Sequence, residues 1–285
     1  MRVSSNQILE AGVQSMNNSL ADAMEWQKKI GTGNNYSKAS DNPYAVSRGV
    51  RLDFDIDRLE MYKTNQNYAA STHAIAQSQM GTIINEIVVI KQAFVQSKNG
   101  ALNSTNFKAL KIQAEQIRDT IKSQMTAKDA TGNAIFPETI NQVQIEPNVT
   151  VGSGVQFTDV FNGGTLADPT QSALYTKIND FVTYLDQLAT GTALTNTAST
   201  VEAGLNDIFD RITTAQQRSG GIAAQVDISK IAMSKIGTEM AATKSALLDT
   251  NLAEATAAYT RSQTLLNAAQ AMFARLQQSS LFSKL

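Results

Sequence analysis

The run SDNPYAVSRGVRLDFDIDRLEMYKTNQNYAASTHAIAQSQMGTIINEIVVIKQAFVQSKNG, residues 40–100, decides the fold. Ser40-Asp41-Asn42-Pro43 reads as a helix start. Asn42 or Asp41 caps the first free amides, and Pro43 sits in the first turn, where its fixed φ is already helical. No further Gly-Pro punctuation follows until Asn99-Gly100, so the spacing predicts one helix of about 55 residues. At about 1.5 Å per residue that helix spans roughly 80 Å. A compact globule of the whole chain would be about 50 Å across. The helix does not fit inside it, and the sequence predicts an elongated rod.

Upstream, Leu9, Val13, Met16, Leu20, Ala23, Gln27 and Ile30 are spaced 4, 3, 4, 3, 4, 3, a heptad seam with one polar interruption. Gly31-Thr32-Gly33-Asn34-Asn35 stops it. Downstream of Asn99-Gly100 the chain turns back into a helix marked by Leu110, Ala114, Ile117, Ile121 and Gln124. Residues 131–168 change character: Val143 with Ile145, Val149 with Val151, and Val155 with Phe157 alternate with polar residues around Pro147 and the turn chemistry of Gly152-Ser153-Gly154. This is the signature of a small β-hairpin region.

Asp168-Pro169 then opens a helix carrying Leu174, Ile178, Phe181, Leu185 and Leu188. After a Thr/Ala/Gly linker over 190–198, Ser199 and Glu202 have capping-box spacing before the stripe Leu205, Ile208, Ile212 and Ala215. Ser219-Gly220-Gly221 either breaks that helix or weakens it. Val226, Met233, Met240 and Leu247 follow seven apart. The seam then shifts by one residue to Leu248, Leu252, Ala255, Tyr259, Ser262, Leu266, Ala269, Phe273 and Leu276. Such a stutter locally straightens a supercoil and marks a boundary.

The expected fold is therefore mainly α: an elongated rod of long antiparallel helices, its N- and C-terminal heptad helices paired, with a small β-hairpin insertion. Expected domains are a terminal coiled-coil assembly domain (1–42 and 248–285), a helical rod (43–130 and 169–247) and the β-rich insertion (131–168). The two terminal seams are each other's obvious partners. A two-helix pair still leaves Ile8, Met24 and Trp26 on a second face of one helix, and Leu265, Met272 and Leu281 on the other. Helices apolar on more than one face belong inside a larger bundle. The ends are expected to become fully ordered only when neighbouring copies surround them. On that reading Leu9, Val13, Met16, Leu20, Ile30, Leu248, Leu252, Tyr259, Leu266, Phe273 and Leu276 pack between subunits.

Composition argues against an enzyme. The chain has no Cys, one His and a net charge of -1. Disulfides, zinc-thiolate sites and thiol catalysis are excluded, and with them multi-His metal sites. The charge balance gives no basic surface for nucleic acid or an anionic membrane. No stretch reaches the roughly 20 apolar residues of a spanning helix, and the N-terminus lacks a secretory signal peptide. No cofactor and no metal is expected. Asp53, Asp55 and Asp57 imitate a calcium loop but continue into Arg58-Leu59, so they read as a solvated helix face offset by Arg51 and Arg58. His73 lies on the register of the long helix and reads as a packed histidine. Gly31-Thr32-Gly33 lacks the third Gly of a dinucleotide fingerprint. Asn148-Val149-Thr150 matches a glycosylation sequon by chance.

The start Met1-Arg2-Val3-Ser4-Ser5-Asn6-Gln7 with its heptad helix resembles the N-terminus of the bacterial flagellin superfamily. Ile30-Gly31-Thr32-Gly33-Asn34-Asn35-Tyr36-Ser37-Lys38-Ala39-Ser40-Asp41-Asn42-Pro43 is similar to its SSGxxIxxASDDP stretch, with Asn42 for the second Asp. Leu248-Asp249-Thr250-Asn251-Leu252-Ala253-Glu254-Ala255 and Leu265-Leu266-Asn267-Ala268-Ala269-Gln270-Ala271-Met272 resemble its last helix. Within the superfamily, the ending Ser280-Leu281-Phe282 is similar to the hook-filament junction branch. So are Gly132-Asn133-Ala134-Ile135-Phe136 and Asp159-Val160-Phe161, although Ala134 stands for an aromatic and Pro137-Glu138 for the usual AG.

The resemblance implies a structural subunit of an extracellular tube, exported unfolded by the flagellar type III route without a cleaved signal. Its implied partners are other copies of itself, a neighbouring hook-associated protein, flagellin, and an export chaperone at the C-terminal helix. It also implies that the loop with Ser40, Asp41 and Pro43 contacts adjacent subunits. The alternatives are a flagellin filament subunit and, from another class, a helical protein of a host-directed type III secretion system.

Overall fold

A computed structural model describes the backbone of residues 5–282 and the side chains of Gln7 and of residues 10–275. The order is α1 (Ser5–Thr32), α2 (Pro43–Ser97), α3 (Ser104–Met125), β1 (Gln142–Glu146), β2 (Val149–Gly152), α4 (Phe157–Phe161), α5 (Ala173–Thr190), α6 (Ala198–Leu248) and α7 (Leu252–Phe282). The fold is mainly α with one antiparallel two-stranded hairpin, as the patterning predicts.

Helix α2 has 55 residues and begins at Pro43. Asn42 is its cap, its Oδ1 accepting the Ala45 amide at 3.1 Å. Asp41 has a different task. Its carboxylate accepts the amides of Ser37 at 3.0 Å and Lys38 at 2.9 Å and folds the preceding loop around itself. These bonds, that from Lys38 foremost, hold Asp41 below the usual carboxylate range.

The chain forms two compact units, Met1–Arg58 with Ile236–Leu285, and Leu59–Lys235. The divisions fall inside α2 and α6; α2 starts at Pro43, while α6 runs on through Leu248.

The unit Leu59–Lys235 has a dense core. Met80, Ile83, Ile87, Ile90 and Phe94 of α2 meet Ile121 and Met125 of α3, Phe181 and Leu185 of α5, and Leu205, Ile208 and Ile212 of α6. Phe94 meets Phe181 edge-on at 5.8 Å. The segment after α3 joins this core through three aromatics, Phe136 and Phe157 each packing edge-on against Phe161, at 5.0 and 4.8 Å. Such pairs add stabilisation beyond the area they bury.

The hairpin turns at Pro147-Asn148, with Asn148 at φ 64°, a conformation Asn tolerates better than most residues. Ile145 and Val151 face inward onto Ala69 and Val226.

Several local expectations are corrected. Val155 and Phe157 form no strand: Phe157 opens α4, because its ring belongs to the aromatic cluster. Gly152-Ser153-Gly154 is not the hairpin turn but the end of β2 and its exit. Asp168-Pro169 opens only a short 3-10 turn, and Ser172 caps α5. The cap of α6 is Thr197, whose Oγ1 accepts the Thr200 amide at 3.2 Å. Glu202 instead bonds Lys98 across the unit at 2.6 Å. Helix α6 passes unbroken through Ser219-Gly220-Gly221, where the buried Ser219 is held by His73. The predicted stutter is a true break between Leu248 and Leu252, with Asn251 Oδ1 accepting the Ala253 and Glu254 amides at 3.2 and 3.4 Å.

Candidate assembly surface in the terminal helices

Helices α1 and α7 pair antiparallel within the unit Met1–Arg58 with Ile236–Leu285. On α7 the inward line is Ala255, Tyr259, Ser262, Leu266, Ala269 and Phe273, as the heptad reading predicts. On α1 the inward line is Gly12, Met16, Ser19, Ala23, Trp26 and Ile30. It shares Met16, Ala23 and Ile30 with the predicted seam and leaves Val13, Leu20 and Gln27 exposed.

Two heptad lines therefore overlap on α1. The smaller residues Gly12, Ser19 and Ala23 let α7 come close, and Gly12 lies against the Phe273 ring. Trp26, expected on the second face, is half-buried in the pair with Lys29 Nζ 4.6 Å from its ring centroid.

Among the described residues of these helices only Ala23, Ala255 and Ser262 are fully buried. Met16, Trp26, Ile30, Tyr259, Leu266 and Phe273 are half-buried between the helices, and a second set of large apolar side chains points outward. Met24 and Met272 are each 62% exposed, and Val13, Leu20, Leu252 and Leu265 are exposed as well. Apolar residues so arranged on both helices of a pair form faces with nothing over them in the single chain. Ser40 and Asp41, on the loop before α2, and Pro43, its first residue, are exposed. Leu9 and Leu276, and the Ser280-Leu281-Phe282 ending, lie outside the described side chains.

Sequence reasoning missed the clasp that joins the two helix breaks. The Asn35 amide donates to the Leu248 carbonyl at 2.7 Å, and the Thr250 amide donates to the Gly33 carbonyl at 2.8 Å. Gly33, at φ 73°, supplies the left-handed step that ends α1 and turns its carbonyl toward Thr250. The Leu248 side chain packs on α2, so close that a Cβ at Gly49 would stand 2.5 Å from its Cδ1. Leu248 is thus engaged within the chain. Lys244 pairs with Asp53 at 2.5 Å beside this contact. The only sequence signal for the clasp was that two helix stops rich in Gly, Asn and Thr fall at matching distances along paired seams.

The remaining candidates have structural partners. Asp53 is held by Lys244 and Asp55 by Arg58. Among the described residues no cluster of three or more His, Asp or Glu could hold a metal. No helix of the described residues is long and apolar enough to cross a membrane.

His73 is fully buried. Its Nε2 lies 3.1 Å from the Gly152 carbonyl, which can only accept, so the proton sits there. Nδ1 then accepts from Ser219 Oγ at 2.9 Å. Burial holds the imidazole below its ordinary pKa. With Asn65, Gln66 and Thr72, whose side chains donate to the carbonyls of Gln144, Ile145 and Ser153, it ties the hairpin to α2.

Residues 3–136 match the family model of the bacterial flagellin N-terminal helical region. Over 136 residues the chain is 24% identical to flagellar hook-associated protein 3 of Salmonella typhimurium, an alignment covering 48% of this chain and 43% of that protein. The alignment thus spans less than half the length of this curated relative. Two solved structures share the fold. One, described as a flagellar hook-associated protein from Vibrio parahaemolyticus, superposes with a TM-score of 0.62 at 16% identity, covering 73% of this chain and 99% of that one. The other, hook-associated protein 3 from Legionella pneumophila, gives 0.60 at 11% identity, covering 69% and 98%.

Proposed function

We propose, on the match of residues 3–136 to the bacterial flagellin N-terminal helical region, that this chain is a structural subunit of the flagellum that joins the hook to the flagellin filament. One observation carries the reading: α1 and α7 close on each other along one line of each helix while Val13, Leu20, Met24, Leu265 and Met272 face outward uncovered. A surface of that kind is costly in an isolated molecule and suits one that finishes its core by assembly. The line Val13–Leu20 is the face that neighbouring copies cover, with Leu252. Met16, Ile30, Tyr259, Leu266 and Phe273 set the pair that presents it.

The partners are other copies, an adjoining hook-associated protein and flagellin. An export chaperone masks the C-terminal helix until the chain leaves by the flagellar type III route, without a cleaved signal peptide. The loop at Ser40, Asp41 and Pro43, stiffened by the Asp41 carboxylate, touches the next subunit. The work is mechanical, with no catalysis and no cofactor.

Deletion of the coding gene tests this. Electron microscopy is expected to show bare hooks, with flagellin monomers shed into the medium. Bare hooks with no flagellin in the medium would make the chain a filament subunit. Normal filaments would overturn the reading.

A further inference from the structure

Within Leu59–Lys235, α2 and α6 run side by side in opposite directions. Gln66 Nε2 bonds Ser229 Oγ at 2.9 Å, His73 meets Ser219, and Gln216 Nε2 bonds the Gln77 carbonyl at 3.1 Å. At about 100° per residue, Met61, Tyr68 and Ile75 fall on the side of α2 turned away from α6. Ile228 and Ile231 fall likewise on the side of α6 turned away from α2. All five are exposed, Ile228 at 70% and Ile231 at 73%. The helix pair therefore carries an uncovered apolar strip on each of its two outer edges.

We infer that these edges dock head to tail, the Met61–Tyr68–Ile75 strip of one copy against the Ile228–Ile231 patch of the next. The inference rests on the reading that copies of this chain assemble, and it names a surface separate from the terminal helices. Register and charge select a second copy as the occupant. Ser229 is level with Gln66, so in the antiparallel pair Ile228 stands level with Asn67, one residue from Tyr68, and Lys235 with Glu60. Side-by-side copies at equal height thus set apolar against apolar and Lys235 against Glu60. Lys235 closes the α6 patch and has no ion pair among the described residues, and Glu60, bonded only to Lys63 on its own helix surface, can share its charge. A contact between two different faces propagates into a ring or a helix of subunits. Five side chains are far fewer than the roughly 20–30 residues a side of a stable dimer. The edge contact therefore serves an assembly held by several weak contacts at once.

The chain has no native Cys, so introduced cysteines are the sole crosslinkers. Full-length chain carrying both Tyr68→Cys and Ile228→Cys, concentrated and mildly oxidised, is expected to give a ladder of dimers, trimers and larger species. Each single variant is expected to stay monomeric on a non-reducing gel. Adding Lys235→Glu should cut ladder yield about two- to fivefold, the range of an exposed ion pair, and Glu60→Lys in the same chain should restore it. Dimers from either single variant, or no ladder at the highest soluble concentration, would overturn the inference. The gene deletion separates the two claims. A ladder alongside normal filaments in the deletion strain keeps this surface and removes the flagellar reading. Shed flagellin without a ladder removes the surface alone.

Discussion

The two compact units hold themselves together in opposite ways. In Leu59–Lys235 the buried side chains are large: Phe136, Phe157, Phe161, Phe181, Met80 and several Ile lie beyond the reach of solvent. Between α1 and α7 the fully buried residues are Ala23, Ala255 and Ser262; Met16, Trp26, Ile30, Tyr259, Leu266 and Phe273 are only half-buried, and Val13, Leu20, Met24, Leu252, Leu265 and Met272 are exposed. Burial contributes in proportion to apolar area removed from water. The first unit is therefore self-sufficient, and the terminal pair has most of its apolar stabilisation still to gain. That difference teaches where a neighbour would stabilise the chain most, because an apolar face exposed in the single chain becomes stabilising only once something covers it.

The comparison breaks first in the core, where the largest effect is expected. Phe161→Ala removes the ring on which Phe136 and Phe157 both pack. It should cost about 3–5 kcal/mol in urea unfolding followed by far-UV circular dichroism. A loss below about 1 kcal/mol would mean that the insertion adds little to the core, and the contrast between the units would shrink.

His73 comes next. His73→Ala leaves Ser219 Oγ and the Gly152 carbonyl without their partner, at a cost of about 1–3 kcal/mol. Its pH signature is more diagnostic than its size. The folded imidazole is held below its ordinary pKa by burial, the Gly152 bond opposing only in part. The unfolded state thus binds the proton first. The contribution of His73 is complete above about pH 6.5, its unfolded value, and is lost as pH falls through that value. Wild type should lose stability relative to His73→Ala as pH falls below about 6.5. Glu86 works in the other direction: burial raises its carboxyl, so it favours the folded state as pH falls. The difference between the two proteins cancels it. Parallel pH profiles would remove His73 as the hairpin's pH-sensitive tie.

A smaller effect belongs to the start of α2. Asn42→Ala removes the side-chain acceptor for the Ala45 amide and should cost about 1 kcal/mol by the same unfolding assay. Asp41 would then have to cap as well as fold its loop. No loss on substitution would show that it can.

The long helices, their order and the hairpin were legible because periodicity, Pro43 and Asn99-Gly100 act locally. The inward and outward lines of α1 were not. The expected seam holds at Met16, Ala23 and Ile30 but fails at Val13, Leu20 and Gln27, where α7 meets Gly12, Ser19 and Trp26 instead; at Gly12 and Ser19 a small side chain permits close approach. A single sequence shows which residues are apolar but not which apolar face meets which neighbour. The clasp between Gly33 and Thr250 was hidden for a related reason. It consists of backbone hydrogen bonds between residues more than 200 positions apart, and side-chain identity does not encode such pairing. The caps misassigned at Ser199 and Asp168 failed by two to four residues because Thr, Ser and Asp neighbours compete for the same role.

The smallest expected effect on the monomer is the most informative about the comparison. Leu20→Ser places a hydroxyl where the chain already exposes an apolar side chain. Surface changes of this kind stay within about 0.5 kcal/mol, so the urea midpoint of the isolated chain should scarcely move. If neighbouring copies cover the Val13–Leu20 line, the same substitution buries a polar group in every contact of the assembly. Cells carrying it should then show bare hooks and shed flagellin although the protein folds and is exported. Ala23→Leu provides the opposite case, since it overfills the α1–α7 contact and should destabilise the monomer by about 1–3 kcal/mol. Should Leu20→Ser instead unfold the monomer while flagella form normally, α1 would present Leu20 inward and Ala23 outward, reversing the assignment of its two faces.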